Sequence, residues 1–383
     1  MHKAHVLSGL DHIDSVDRLL RGRRIGLMTN PTGVDHSLRS GIDILHRRYG
    51  LSALFGCEHG VRGDIQAGDP VATYVDEQTG VTVYSVYGDT KHLTDEMLDA
   101  FDVLVFDMQD VGARFYTYLY SLAYAMQACA EAGKSLVVLD RVNPIGGRKR
   151  GGTILDLSFR SFVGDYELPT RYGLTIGEYA RYIRHYLRLD VDLTVVPLTG
   201  WQRHMYLDDT DLPWVAPSPN CPTLSAALSY IGTCIFEGTN VSEGRGTTQP
   251  FELIGAPWIV GAALEARMGE YALPGVHFRR TVFRPTFSKH QGQQCHGVQL
   301  HLLDRERADV CHAGLKLLEV IRDMYPDYLK FLSWDGGNSY TLDKLLGTDA
   351  FRVGGVTTDE LIAQHAPGVM EFGHAVEPFL LYT

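Results

Sequence analysis

The side chains best suited to acid–base chemistry stand where apolar runs stop. "RRIGLMTN" (23–30) ends on Asn30, and "LSALFGCEHG" (51–60) carries Glu58 and His59 at its end, with Arg62 close behind. "DVLVFDMQD" (102–110) delivers Asp107, Gln109 and Asp110, followed by Arg114, and "SLVVLDRVNP" (135–144) brings Asp140, Arg141 and Asn143. A carboxyl at the lip of an apolar strand is partly desolvated, which raises its pKa and lets it keep a proton near neutrality. Glu58, between "ALFGC" and the glycine-rich "HGVRGD", is the sharpest candidate for a general acid. Hydrolysis of a glycosidic bond needs a second carboxylate on the other side of that bond, and Asp107, Asp110 and Glu243 are the candidates. Arg62, Arg114 and Arg245 can hold an anionic group on a sugar through paired N–H donors. Tyr116 and Tyr118 can stack on a sugar face. The competing structural readings pair Glu58 with Arg62 or Arg114, and Asp140 with Arg141, in salt bridges.

The elements that must position these groups are strands alternating with helices. Short apolar runs at 23–30, 51–60, 81–88, 102–110, 135–144 and 191–201 give six strands. Helical spacing falls between them, notably over 115–133 with Gly133 at its end, and after Thr175 and Glu178, which form a capping box. Thr94 reads as an N-cap. The pattern predicts an α/β fold, a Rossmann-like parallel sheet covered on both faces, which binds ligands at the carboxyl ends of its strands. The proline-rich segment 212–223 marks a boundary, with the α/β domain over 1–221 and a smaller α+β domain over 222–383. In the second part, "FEGTNVSEGRGTTQPF" (236–251) is a polar loop carrying Glu237, Asn240, Glu243 and Arg245. Its weight comes from the habit of two-domain proteins of binding ligand at the domain interface.

Composition narrows the classes. A net charge of −11 argues against a nucleic-acid partner. No apolar run reaches the ~20 residues of a membrane span, and the first residues carry no export signal, so the expectation is a cytoplasmic chain. Six scattered cysteines without a CxxC pair read as small buried hydrophobes. No GxGxxG, GxxxxGK[ST], HExxH or GxSxG motif is present, and no cofactor is expected. His59, Asp64, Asp69 and His92 are too loosely spaced for a metal site, so none is assigned there. The oligomeric state is left open.

The stretches "GRRIGLMTNPTGVD", "LFGCEHGVRGDIQAGD", "DVLVFDMQDVGARFYTY", "LDRVNPIGG" and "EGTNVSEGRGTTQPFELIGAPW" together resemble the NamZ-type exo-β-N-acetylmuramidases. That resemblance implies removal of N-acetylmuramic acid from the non-reducing ends of peptidoglycan fragments, so the partner is a peptidoglycan-derived saccharide or muropeptide. It further implies an active-site cleft between a Rossmann-like and an auxiliary domain. The EHG-x-RG motif of that family falls on Glu58, His59, Gly60, Arg62 and Gly63, which gives Glu58 the catalytic role. Its SEGRGT motif falls on Ser242 through Thr247. Cys57 departs from the proline expected before the glutamate. The alternative function is a non-catalytic muropeptide sensor, which would keep the arginines and aromatics but not need the carboxylates.

Overall fold

The structure, a computed structural model, describes residues 3–57, 60–63, 73–86, 91–333 and 335–383. Within it the apolar runs become β1 (Ile25–Thr29), β2 (Leu51–Gly56), β3 (Tyr74–Val75), β4 (Thr82–Ser85), β5 (Val103–Asp107), β6 (Ser135–Leu139), the hairpin β7 (Gly151–Ile154) and β8 (Pro169–Arg171), and β9 (Asp192–Val196). Seven of them form one sheet in the order β3-β4-β2-β1-β5-β6-β9, parallel throughout except where β3 runs antiparallel to β4. Every residue of β1 and β5 is buried, as expected of central strands covered on both faces. The six runs read from sequence are all present. The seventh strand, β3, is an edge strand of two residues, too short for any periodicity to announce it.

Register decides where the site falls. Thr29, Gly56 and Asp107 lie level on neighbouring strands, so β1, β2 and β5 release their chains together at one edge. The helix Tyr118–Glu131 follows the β5 loop and is buried on most of its surface, which explains why its sequence is apolar nearly all round. Thr175 and Glu178 form the expected capping box at the helix Ile176–Tyr186, and Thr94 accepts from the Met97 amide at its own helix.

Past residue 222 the chain forms a three-stranded antiparallel sheet, β10 (Leu253–Ala256), β11 (Val276–Phe283) and β12 (Cys295–Leu302), in the order β10-β12-β11. The amphipathic helix Val310–Met324 packs with it around a core that includes Ile254, Phe278 and Leu318. The two parts of the chain are knit together. Cys221, Leu228 and Tyr230 belong to the same apolar cluster as Phe106 and Tyr116. From the earlier half the β7–β8 hairpin reaches onto the helix Thr358–Val376, where the Ile154 amide donates to His365 Nδ1 at 3.2 Å. All six cysteines are buried and none is in a disulfide. Among the described residues no helix is long and apolar enough to cross a membrane.

Candidate active site

The edge where β1, β2 and β5 end gathers the polar groups found in the sequence. Asn30 is buried, and its Oδ1 accepts from the Thr32 amide (2.9 Å) and hydroxyl (2.5 Å). Its Nδ2 is shielded from solvent and has no hydrogen-bond partner among the described residues. Thr32 Oγ1 in turn accepts from the Gln109 amide at 2.8 Å, tying the β1 loop to the β5 loop.

Asp107 and Asp110, three residues apart, have different surroundings. Asp107 is fully buried, and its Oδ1 accepts from Arg141 Nε at 2.6 Å. The Arg141 guanidinium also donates to Val34 O at 3.0 Å, so this pair braces β5, β6 and the loop after β1. That loop lies close over the carboxylate: a Cβ built on Gly33 or Gly41 would stand 3.2 Å from Asp107 Oδ2. Burial raises Asp107 above the usual carboxylate range, and Arg141 opposes the shift. The expected Asp140–Arg141 ion pair does not form. The Arg141 guanidinium goes to Asp107, and Asp140 instead accepts from Thr175 Oγ1 (2.8 Å), the Gly177 amide (2.7 Å) and the Tyr382 hydroxyl.

Among the described residues Asp110 has no cation beside it. Its Oδ2 accepts from the Gly112 amide at 2.6 Å and from the Tyr172 hydroxyl, while Oδ1 has no partner among the described residues. Burial pushes its pKa up to about 7, with the Tyr172 hydroxyl and the Gly112 and Val111 amides pulling the other way. A carboxyl held there can both keep and release a proton near neutrality, as acid–base catalysis requires.

Other candidates are spent on the fold. Arg114 is fully buried and turns away from the strand ends. It donates to Leu345 O (2.6 Å) and Leu168 O (3.3 Å), and burial lowers it to about 10. It ties the β5 loop to the later half of the chain and is not presented to a ligand. Gln109 uses its amide on Asp110 O and Val142 O, both at 2.7 Å, and Asn143 donates to Leu174 O at 2.9 Å. These contacts shape the loops, and Gln109 stays partly exposed beside a small cavity while Asn143 is buried. Arg62 keeps some exposure and makes a two-pronged pair with Asp76, both contacts 2.9 Å, which holds Asp76 down at about 2 against the opposing effect of burial. The Arg62–Glu58 pairing therefore has a described competitor. Glu58 and His59 themselves lie outside the described residues, as do Asp64 and Asp69. His92 stacks on Tyr124, with ring centroids 4.4 Å apart.

The second constellation is an ion-pair cluster. Glu243 is buried, 2.7 Å from Lys289 Nζ and 3.4 Å from Arg245 Nε. Arg245 reaches Glu237 at 2.5 Å and lies over the Phe251 ring at 5.2 Å. Burial works against the Arg245 charge, but Glu237 and Glu243 outweigh it and hold the pKa above the ordinary value. Lys289 also donates to Phe236 O, Thr239 O and Val241 O at 2.7–2.9 Å. The loop is tight enough to demand its glycines. Gly246 has φ +80°, and a Cβ there would stand 2.4 Å from Phe287 O. An edge-to-face ladder of rings runs from this cluster to the β5 loop: Phe251–Tyr230 (4.7 Å), Tyr230–Tyr116 (5.8 Å) and Tyr116–Tyr118 (4.9 Å). Tyr172, Asp76 and Lys289 were not singled out in the sequence. Each acts through a partner distant along the chain, so spacing carries no signal for them.

The family profile described as "Exo-beta-N-acetylmuramidase NamZ, N-terminal" matches residues 25–225, and its C-terminal counterpart matches residues 228–382. The chain is 48% identical over 386 aligned residues to the peptidoglycan beta-N-acetylmuramidase NamZ of Bacillus subtilis (strain 168), covering 99% of this chain and 92% of that protein. Among solved structures it is similar to two DUF1343 family proteins from Bacteroides fragilis NCTC 9343. One superposes with a TM-score of 0.90 at 34% identity and the other with 0.78 at 31%, each covering 99% of both chains.

Proposed function

This chain belongs to the NamZ exo-β-N-acetylmuramidase family, and from that premise we propose that it hydrolyses the glycosidic bond of peptidoglycan-derived saccharides or muropeptides, releasing N-acetylmuramic acid from their non-reducing ends. The observation that carries the proposal is the 48% identity to the Bacillus subtilis enzyme, sustained over 99% of this chain. In this reading the sugar binds between the strand ends of the 1–221 region and the loops of the 222–383 region.

Glu58, two residues past β2 in the sequence, protonates the leaving oxygen. Asp110, at the end of β5, is its partner, taking a proton from the attacking water or steadying the 2-acetamido group if the substrate attacks itself. The Oδ1 of Asp110, without a partner among the described residues, and the rise of its pKa to about 7 support that role. Gly56 and Asp107, level on β2 and β5 with β1 between them, are two strand spacings apart, roughly 10 Å, which leaves room for a sugar and a water. Glu243, neutralised by two cations, positions the second-region loop. Of the three candidate arginines, Arg62 and Arg245 keep side-chain exposure to meet the lactyl carboxylate, and Arg114 does not.

The test is turnover of a chromogenic β-N-acetylmuramide beside the matching β-N-acetylglucosaminide. The expected result is release from the muramide and little from the glucosaminide. Saturable binding of the muramide with no sugar released would leave a sensor in place of an enzyme.

A further inference from the structure

Among the described residues, one group of three side chains has the donor set of a metal site, away from the acid–base residues: His5, His36 and Asp211. They come from three separated segments, the N-terminal strand-like stretch, the loop after β1, and the link that follows β9. Their donor atoms all lie within 4.8 Å of one another. Asp211 Oδ2 is 2.6 Å from His5 Nδ1 and 3.1 Å from His36 Nε2, and the two imidazole rings meet edge-on with centroids 4.9 Å apart.

An ion pair explains only half of this. One carboxylate oxygen facing one imidazole is an ordinary surface contact. Here the same oxygen faces two. His36 Nε2, 3.1 Å from it and shielded from solvent, has no complete hydrogen bond among the described residues. The remaining Asp211 oxygen is fixed by the Val6 amide at 3.0 Å, and the His36 amide is fixed by Asp11 Oδ1 at 2.8 Å, so backbone contacts aim the carboxylate and place the ring. Supporting contacts of this kind are what orient metal ligands. Zinc bonds of about 2.0–2.2 Å in a tetrahedron put donors a little over 3 Å apart. The two His–Asp separations lie near or just under that spacing, and His5, whose side chain is 67% exposed, has room to adjust.

We propose that His5, His36 and Asp211 bind a divalent transition-metal ion of the zinc type, with water completing the shell. Imidazole and carboxylate ligands favour such ions over magnesium or calcium. The ion fastens the N-terminal segment and the 211–215 link to the loop after β1. The next residues of those segments, Asp35, Leu212 and Trp214, line a small cavity together with Thr32 and Gln109 of the candidate active site. The ion is therefore structural, steadying one wall of the site without touching the acid–base residues.

The experiment titrates the metal-stripped protein with Zn²⁺ by calorimetry and with Co²⁺ by visible absorption. The wild type should bind one equivalent that His5→Gln and His36→Gln both lose. Added Zn²⁺ should raise the unfolding midpoint of the wild type and leave that of either variant unmoved. His5 is exposed, so His5→Gln keeps the fold and gives a readable answer even if His36→Gln does not. Equal binding by the wild type and His5→Gln, or no saturable binding by the wild type, would overturn the proposal.

Discussion

Two of the regions that hold buried carboxylates are built on opposite principles. At the sheet edge Asp110 is desolvated, is held by a hydroxyl and an amide, and among the described residues has no cation beside it; burial pushes its pKa up to about 7. In the 236–251 loop Glu243 is just as buried, yet Lys289 and Arg245 stand against it. Burial pushes a carboxyl toward its protonated form, and a cation beside it opposes that push. The first region is arranged to exchange protons. The second is arranged to hold a tight loop in one shape and present it to the first.

Four perturbations break or sharpen that contrast. The largest effect is expected from Asp110→Asn, which keeps an acceptor for Tyr172 and Gly112 and should fold. Its kcat/KM on a muramide should drop by about 10²–10⁴, whereas Glu243→Gln should lose less in rate than in stability. Loss of rate in Glu243→Gln alone, with Asp110→Asn unaffected, would reverse the assignment of the two regions.

Next is the pH dependence of stability. The folded pKa of Asp110 lies above its ordinary value of 3.8, so between about pH 4 and 7 the folded state holds a proton that the unfolded state has lost. Stability from this group is greatest below pH 4, falls by at most about 1.4 kcal/mol per pH unit, and levels off above pH 7. Asp140, which burial also raises to about 7, adds a slope of the same sign. Urea unfolding at several pH values should therefore show Asp110→Asn gaining on the wild type from pH 4 to 7. A constant difference would mean that Asp110 is charged in the folded protein.

Lys289→Ala should cost about 2–3 kcal/mol in the same assay, at the low end for a broken buried pair because Arg245 remains 3.4 Å from Glu243. A change below ~0.5 kcal/mol would show that the cluster does not hold the loop. The smallest effect is expected of Arg62→Ala. Its pair with Asp76 is partly exposed and is worth about 1 kcal/mol at most. The informative readout is specificity. The preference for muramide over glucosaminide should narrow, and an unchanged ratio would remove Arg62 from carboxylate recognition.

Much of this was legible in the sequence for a physical reason. A strand buried on both faces is an unbroken apolar run, so its polar terminus marks the sheet edge, and Asn30, Asp107 and Asp110 were placed by that rule alone. Direction was less legible than position. Arg114 follows Asp110 closely, yet its side chain points inward to Leu345 O, because local spacing does not record which face a loop residue turns to. Arg141 neighbours Asp140 but pairs with Asp107 across the sheet. Lys289 lies on a coil far along the chain from Glu243, and β3 has only two residues, so neither left a periodic trace. The EHG-x-RG and SEGRG segments were recognisable as motifs. The ladder of rings that links the β5 loop to the second of them depends on Tyr230, which reads as plain core.

The most direct measurement compares leaving groups. Glu58→Gln and Glu243→Gln are each assayed on a natural disaccharide and on an aryl muramide whose leaving group needs no proton. If the proton comes from the sheet edge, the rate deficit of Glu58→Gln is large on the disaccharide and shrinks on the activated aryl substrate, while that of Glu243→Gln is the same on both. A Glu58→Gln deficit that does not depend on the leaving group, with recovery seen instead in Glu243→Gln, would contradict the account.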